Sequence, residues 1–284
     1  MTSLSIMPKS IDTLLEDVDK LFDGVEISDE LADEFGRRMA ELVKSRFSAY
    51  KEERPPTLRM SMIGHEDRKI WYHCNGSPKE ELTSQQKRRF LWGDFIEEIM
   101  IFFAKAAGHE VTEEQGEVVV EGIKGHKDCK IDGVLVDIKS ASTFGFRKFK
   151  DNTIVRDNPY GYLHQISGYG YEEKRPAYFW AMDKQHTEMA LSKIEYEDMV
   201  DPAPRIKELK VLITEPEPPE KCYMPVAEGK SGNLALSTPC TYCDYKEHCW
   251  SHANNGQGLR KFKYSTGVRY LTHVEKEPNV EEVV

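Results

Sequence analysis

The segment that most constrains this chain runs from Gly125 to Lys139, where two alternating runs are joined by Asp132-Gly133. An Asp-Gly pair in that position is the strongest short-range signal for a β-hairpin with a two-residue turn. If these residues form the turn, Asp128 lies directly opposite Asp137. Lys139 follows Asp137 by two residues, so its side chain emerges on the same face of the sheet. The sequence therefore predicts two carboxylates and a lysine on one face of a hairpin.

Two carboxylates directly opposite each other repel. A sequence keeps such a pair at low cost only where it is well solvated or holds a cation. Carboxylate oxygens are ligands that Mg2+ and Mn2+ prefer, and a neighbouring lysine can act on a water molecule or a phosphate. This set of side chains is what a metal-dependent phosphodiesterase needs. The alternative interpretation is a solvated hairpin whose charged side chains have no function.

The segment resembles the PD-(D/E)XK nuclease superfamily. Asp128 matches the first motif carboxylate, and Asp137-Ile138-Lys139 matches the (D/E)XK element. Gly125-His-Lys-Asp128 stands where many members have Pro-Asp, and it resembles the Gly-x-x-Asp form of the RecB-like branch.

A second element, Gln165-Ile-Ser-Gly-Tyr169, is similar to the Gln-x-x-x-Tyr signature of that branch. On a helix, Gln165 and Tyr169 share one face, from which both can contact a phosphate or a base. An ordinary amphipathic helix is the alternative, and Gly168 and Gly170 weaken the helix prediction.

A third element is a helix predicted from Phe90 to Gly108, which is apolar almost all round. Carboxylates in a buried helix are rare unless they are paired or bind a metal. The family spacing Gly-x-x-x-(His or Glu) runs from Gly93 to Glu97, so the resemblance implies Glu97 as a metal ligand. Helical periodicity by itself does not choose between Glu97 and Glu98.

The resemblance implies a hydrolase that cleaves phosphodiester bonds with a metal-activated water. Its catalytic residues would be Glu97, Asp128, Asp137 and Lys139. One or two Mg2+ or Mn2+ ions would be held by Glu97, Asp128, Asp137 and the backbone carbonyl of Ile138. Gln165 and Tyr169 would position the substrate strand.

Cysteines form a fourth element. Of the six in the chain, Cys240, Cys243 and Cys249 follow a C-x2-C-x5-C spacing. Three thiolates this close, in a chain without a secretory signature, favour a metal over disulfides. The spacing leaves a fourth ligand open among Cys74, Cys222, His248 and His252. Cys129 alternates with Asp128 and is expected to be a buried free thiol on the other face of the sheet.

The cysteine pattern resembles an iron–sulfur subset of RecB-like nucleases that includes AddB and the CRISPR-associated RecB-like exonucleases. In that subset one cysteine precedes the first motif helix and three lie near the C-terminal end. The resemblance implies a 4Fe-4S cluster held by Cys74, Cys240, Cys243 and Cys249, which would act as a structural staple. Structural zinc is the alternative.

The net charge of −10 argues against a general nucleic-acid-binding domain. An enzyme needs only a local basic track, and the best placed is Arg147-Lys148-Phe149-Lys150, with Phe144 and Phe146 just before it. We expect Arg147 and Lys148 to contact DNA. The chain has neither a run of ~20 apolar residues nor the features of a signal peptide, which predicts an intracellular protein.

We expect an α/β fold with a restriction-endonuclease-like core, in which helices flank a central mixed sheet. Residues 1–56 would form an N-terminal helical region and residues 57–284 the nuclease domain, with its core at about 84–212 and a cysteine segment at about 221–265.

The expected function is a Mg2+- or Mn2+-dependent DNA nuclease, foremost an exonuclease on single strands or DNA ends, in repair, recombination or replication. A helicase or a recombination protein would be its partner. The alternatives are a catalytically silent nucleic-acid-binding protein of the same fold and a zinc-stabilised interaction module.

Overall fold

The computed structural model describes residues 9–49, 55–158 and 160–283. The α-helices of these residues are α1 (Leu14–Asp19), α2 (Asp29–Ala49), α3 (Asp67–Cys74), α4 (Ser84–Ala106), α5 (Thr143–Lys150), α6 (Tyr162–Gly170), α7 (Pro202–Leu212), α8 (Thr238–Thr241), α9 (Lys246–Cys249) and α10 (Ala253–Gly256). The strands are β1 (Val111–Thr112), β2 (Gly116–Val120), β3 (Ile123–Lys127), β4 (Cys129–Ile131), β5 (Val134–Ala141), β6 (Ala177–Asp183), β7 (Met189–Ile194), β8 (Val226–Ala227), β9 (Leu234–Ala235), β10 (Arg260–Tyr264), β11 (Gly267–His273) and β12 (Glu282–Val283).

The chain divides into two compact units. The first comprises Met1–Pro55, Arg59–Gly64 and Thr83–Lys207. The second comprises Pro56–Leu58, His65–Leu82 and Glu208–Val284. This division differs from the predicted boundary at residue 56, because the N-terminal helices belong with the central sheet.

The first unit is built on a sheet with the strand order β1-β4-β5-β6-β7. Strands β5 and β6 run parallel, and the other neighbours pair antiparallel, so the sheet is mixed. On one face, Ile138 and Trp180 pack with Ile96 and Met100 of α4. On the other face, Phe149 of α5 packs edge-to-face on Phe179, with the ring centroids 5.6 Å apart. The predicted α/β class, a central mixed sheet flanked by helices, is confirmed.

The predicted hairpin is present as β4 and β5. Asp132 and Gly133 have φ angles of 50° and 77°, the left-handed pair that a type I′ turn requires. Cys129 pairs with Val136 and Ile131 with Val134, as the sequence predicts. Cys129 is completely buried and free, also as predicted.

Helix α4 begins with a capping box. The Thr83 hydroxyl accepts a hydrogen bond from the Gln86 N–H (3.2 Å), and the Gln86 side chain accepts one from the Thr83 N–H (2.8 Å). The helix therefore starts at Ser84, six residues before the predicted Phe90.

Helix α2 is tied to α4 by ion pairs. Arg38 donates two hydrogen bonds to Glu98, at 2.6 and 3.1 Å, and Lys105 of α4 lies 2.6 Å from Glu34. Arg46 pairs with Asp94 at 2.5 Å. The predicted N-terminal helical region thus packs on the helix that carries Glu97.

The second unit contains an antiparallel sheet with the order β12-β10-β11-β9-β8. Its small core includes Leu236, Trp250 and Leu259. The sequence indicated only a cysteine segment here, because strands of two to seven residues interrupted by loops show little periodicity. Within the described ranges, none of the helices combines the length and the apolar composition that crossing a bilayer requires.

Candidate functional site

Carboxylates from three separate elements of the first unit lie close to one another beside the hairpin of β4 and β5. Asp128 lies in the link between β3 and β4, Asp137 on β5 and Glu97 on α4. The Ile138 N–H donates a hydrogen bond to Asp128 Oδ2 at 2.7 Å, which fixes that carboxylate against β5. Lys139 Nζ lies 2.5 Å from Asp137 Oδ2. The structure thus brings together the two aspartates and the lysine that the sequence placed on one face.

Helix α4 resolves the choice between its two adjacent glutamates. Glu98 is paired with Arg38 of α2, whereas Glu97 interacts electrostatically with Asp128, Lys139 and Asp137. Gln115 donates a hydrogen bond to Glu97 Oε1 at 2.8 Å. Glu97 is therefore the glutamate at the site, and Glu98 serves the packing of the two helices.

The electrostatics of the site show an excess of negative charge. Burial and the nearby Asp128 raise the pKa of Glu97 to about 8. Burial and the charge of Asp137 raise the pKa of Asp128 to about 7. Burial also raises the pKa of Asp137, against the effect of Lys139. Although burial opposes it, the two aspartates raise the pKa of Lys139. A single lysine does not balance three carboxylates, so a bound cation would lower the energy of the charged site.

The donor chemistry of the site fits a hard divalent cation. Asp137 is completely buried, and its Oδ1 has no hydrogen-bond partner in the part of the chain that the structure describes. A buried carboxylate oxygen of this kind is costly unless it is paired or coordinates a metal. No three His, Cys, Asp or Glu side chains of the described residues are already arranged to hold an ion.

Helix α6 carries the predicted Gln165 and Tyr169. The Gln165 side-chain amide donates a hydrogen bond to the Tyr169 hydroxyl at 3.2 Å. Burial raises the pKa of Tyr169 to about 12, with smaller contributions from the Asp137 and Asp128 charges. The helix includes Gly168, and Met60 packs where a Cβ of residue 168 would lie, so a larger side chain would clash there. The two residues thus share one face of the helix, as the spacing predicts, and the Tyr169 hydroxyl interacts electrostatically with Asp137 and Asp128.

Two residues at the site were missed by sequence reasoning. Tyr162 lies at the start of α6, and Lys139 Nζ sits over its ring at 5.2 Å from the centroid. The spacing could have indicated Tyr162, since it lies three residues before Gln165 on the same helix. Gln115 lies just before β2, and no local pattern in the sequence relates it to Glu97.

We expect Tyr162→Leu to lower the cleavage rate by roughly 3- to 30-fold, the range of a cation–π contact with a lysine. Tyr160→Leu is the matched control, because that ring is exposed and packs 5.6 Å from Tyr162. Equal effects of the two substitutions on the rate would contradict a positioning role for Tyr162.

The predicted basic track lies on helix α5, and only part of it is accessible. Phe146 and Phe149 are buried in the core, so neither can stack on a base. The helical period places them on the inner face, three residues apart. Lys148 pairs with Asp157 at 2.7 Å. Arg147 and Phe144 are exposed, and contact of Arg147 and Lys148 with DNA stays a prediction.

A small cysteine-lined cavity, partly open to solvent, lies in the second unit. Among the residues that line it are Cys222, Cys240, Cys243 and Cys249. The Tyr245 backbone N–H faces the Cys243 thiol, and the Ser237 side chain faces Cys240. Soft thiol ligands in one cavity fit iron or zinc in their chemistry. Cys74, predicted as the fourth ligand, is not among the lining residues.

No family model matches the chain, and no curated protein matches its sequence. Several solved structures are similar to it at low identity. SSO0001 matches with 17% identity and a TM-score of 0.45, over 72% of this chain and 93% of that one. An alkaline exonuclease, LHK-Exo from Laribacter hongkongensis, matches with 16% identity and a TM-score of 0.38, over 60% of this chain and 89% of that one. LHK-Exo in complex with dAMP matches with the same identity and TM-score, over 56% and 85%. Likeness at this level does not transfer function.

Proposed function

We propose that this protein is a metal-dependent DNA nuclease whose site is built from Glu97, Asp128, Asp137 and Lys139. The observation that carries the proposal is the meeting of three carboxylates from separate elements around one lysine, with raised carboxyl pKa values. A structural ion-pair network would balance these charges, whereas this site keeps an excess of negative charge. Perturbed, unbalanced carboxylates in one cluster are typical of functional sites.

Glu97, Asp128 and Asp137 would hold one or two Mg2+ or Mn2+ ions. The Ile138 carbonyl is a further donor, because the N–H and C=O of a strand residue point to the same side and its N–H points to Asp128. When bound, the ion would act as a Lewis acid and make water a stronger nucleophile at neutral pH.

Lys139 is proposed to stabilise charge in the reaction. Its pKa is raised by the neighbouring aspartates, so the side chain stays protonated at neutral pH. A protonated lysine can donate hydrogen bonds to a phosphate oxygen and hold the negative charge that develops there. The Tyr162 ring and Asp137 fix its position. Gln165 and Tyr169 lie on the neighbouring helix and would contact the substrate strand.

We infer that the preferred substrate is single-stranded DNA or a DNA end, with hydrolysis proceeding from that end. The test is cleavage of end-labelled linear single-stranded DNA beside a closed circle, with Mn2+ or Mg2+, by the wild type. Degradation of the linear strand alone supports an exonuclease, and cutting of the circle adds endonuclease activity. Absence of cleavage in either ion, from folded protein that binds the same strand, would favour a silent nucleic-acid-binding protein.

Cleavage should weaken steeply with salt, because phosphate contacts release counterions. For about three contacts, kcat/KM should fall roughly 10- to 20-fold between 50 and 200 mM salt. Arg147→Gln should reduce the slope of this dependence. Lys150→Gln is the control, since Lys150 pairs with Glu188. A flat salt response would contradict a nucleic-acid substrate.

The cysteine segment is proposed to hold a 4Fe-4S cluster, with structural zinc as the alternative. Such a site would stabilise the second unit rather than take part in cleavage. Its support is the grouping of thiols in one cavity. A role in repair, recombination or replication, a helicase or recombination partner and an intracellular location stay proposals.

A further inference from the structure

The cysteine cavity is lined by four thiols, and the set differs from the one implied by resemblance. Cys222 lies in the cavity together with Cys240, Cys243 and Cys249. Its thiol interacts electrostatically with Cys240 and Cys249. The other predicted candidates for the fourth ligand do not line the cavity: His248 packs on Tyr72 at 5.1 Å between ring centroids, and His252 stacks on Trp250 at 6.2 Å.

Helix α3 shows why Cys74 lies outside this set. The helix contributes Arg68, Lys69 and Tyr72 to the cavity lining. With 3.6 residues per turn, Cys74 lies roughly 120–160° around the helix from each of them. Its thiol is partly buried, and burial alone raises its pKa. Cys74 therefore lies on a different face of α3 from the residues that line the cavity.

The cavity lining includes groups that can orient sulfur ligands. The Arg68 backbone N–H, near the start of α3, donates to the Cys222 thiol. The Arg68 guanidinium and the Tyr72 hydroxyl interact with Cys249. Burial raises the pKa of Cys222 to about 11 and also raises the pKa of Cys240 and Cys243, so a metal would have to displace the thiol protons when it binds. Hydrogen bonds to the sulfurs would then orient the metal ligands.

We infer that Cys222, rather than Cys74, is the fourth thiolate of a metal site completed by Cys240, Cys243 and Cys249. The inference rests on the proposed metal at the cysteine segment. The ligand is a thiolate-preferring centre, either an iron–sulfur cluster or Zn2+. Cys222 is an exposed residue whose thiol lines the cavity, so it would close the site on the solvent side.

The test compares Cys222→Ser with Cys74→Ser in the full chain, purified anaerobically. Iron, acid-labile sulfide and zinc are measured per chain, together with visible absorption. We expect the wild type and Cys74→Ser to retain the metal, and Cys222→Ser to lose at least about 80% of it. Iron with sulfide identifies a cluster, and zinc alone identifies the simpler site. Loss of metal from Cys74→Ser, with or without loss from Cys222→Ser, would overturn the assignment.

A second measurement needs no variant. Native wild-type protein is treated with a maleimide, and labelled cysteines are identified by mass spectrometry before and after metal removal by a chelator. Cys222 should be protected with metal and labelled without it, while the labelling of Cys74 should not change. The reverse pattern would overturn the inference.

Failure of this inference can be told apart from failure of the nuclease proposal. Wild type that binds none of the metals, even after reconstitution, would overturn the inference and the metal proposal together. Cleavage of linear DNA by that same protein would leave the nuclease proposal standing.

Discussion

Replacing Asp137 with asparagine is expected to lower the rate of DNA cleavage by at least about 1000-fold, because a metal ligand contributes several kcal/mol to the transition state. The fold should survive, since asparagine has nearly the same shape as aspartate and its side-chain oxygen can still accept a hydrogen bond from Lys139 Nζ. The substitution leaves Lys139 with less negative charge nearby but relieves repulsion among the carboxylates. The melting temperature should therefore stay within a few degrees of the wild type.

Asp183 provides the matched control. It is also a buried aspartate of the central sheet, but it accepts hydrogen bonds from the Gln185 N–H (2.9 Å) and the Thr143 hydroxyl (3.1 Å). Asp183→Asn should cost about 1–3 kcal/mol of stability and retain cleavage. Cleavage by Asp137→Asn at a rate near that of the wild type, measured on end-labelled DNA, would remove Asp137 from the mechanism.

Added Mn2+ or Mg2+ should stabilise the protein strongly at pH 8 and weakly at pH 5. The carboxyls of Glu97 and Asp128 have pKa values raised to about 8 and about 7 in the folded chain. Without the ion, the folded state thus binds more protons than the unfolded state between about pH 4 and pH 8. The free energy of unfolding should fall as the pH rises through that range. An ion that binds the charged carboxylates offsets this loss.

At pH 8, with the ion at a concentration of about 100 times its dissociation constant, the melting temperature should rise by roughly 5–10 °C. Glu97→Gln should abolish most of this shift. Glu98→Gln is the control: it should lower the melting temperature through the lost pair with Arg38 but keep the response to the ion. Thermal melts with and without Mn2+ at both pH values decide the matter, and an equal response in the two variants would contradict the assignment of Glu97.

The hairpin and the pair of aspartates could be predicted from the sequence because they depend on local chemistry. A turn with two left-handed residues needs a pair such as Asp132-Gly133, and the register of β4 and β5 follows from that turn. Gln165 and Tyr169 were predictable for a similar reason, since a spacing of four sets one helical face.

The remaining features depend on contacts between distant residues. Glu97 and Glu98 are adjacent, and only Arg38, 60 residues from Glu98, separates their roles. The alternation of basic and aromatic residues after β5 suggested an exposed track, but a helix places Phe146 and Phe149 inside. The identity of the fourth thiol depends on which face of α3 lines the cavity. The spacing of the cysteines carries no information about that face.

The turn at Asp132 also bears on how the site assembles during folding. Its carboxylate pairs with His109 Nδ1 at 2.7 Å and accepts a hydrogen bond from the Glu110 N–H at 3.1 Å, in the loop after α4. A hairpin with so short a loop forms in about 1–10 μs, so Asp128 and Asp137 meet early, at a cost in repulsion. Docking of the turn on the loop after α4 then brings Glu97 to the pair. We expect the last carboxylate and the cation to arrive in the same late step, so that ion binding is linked to completion of the core.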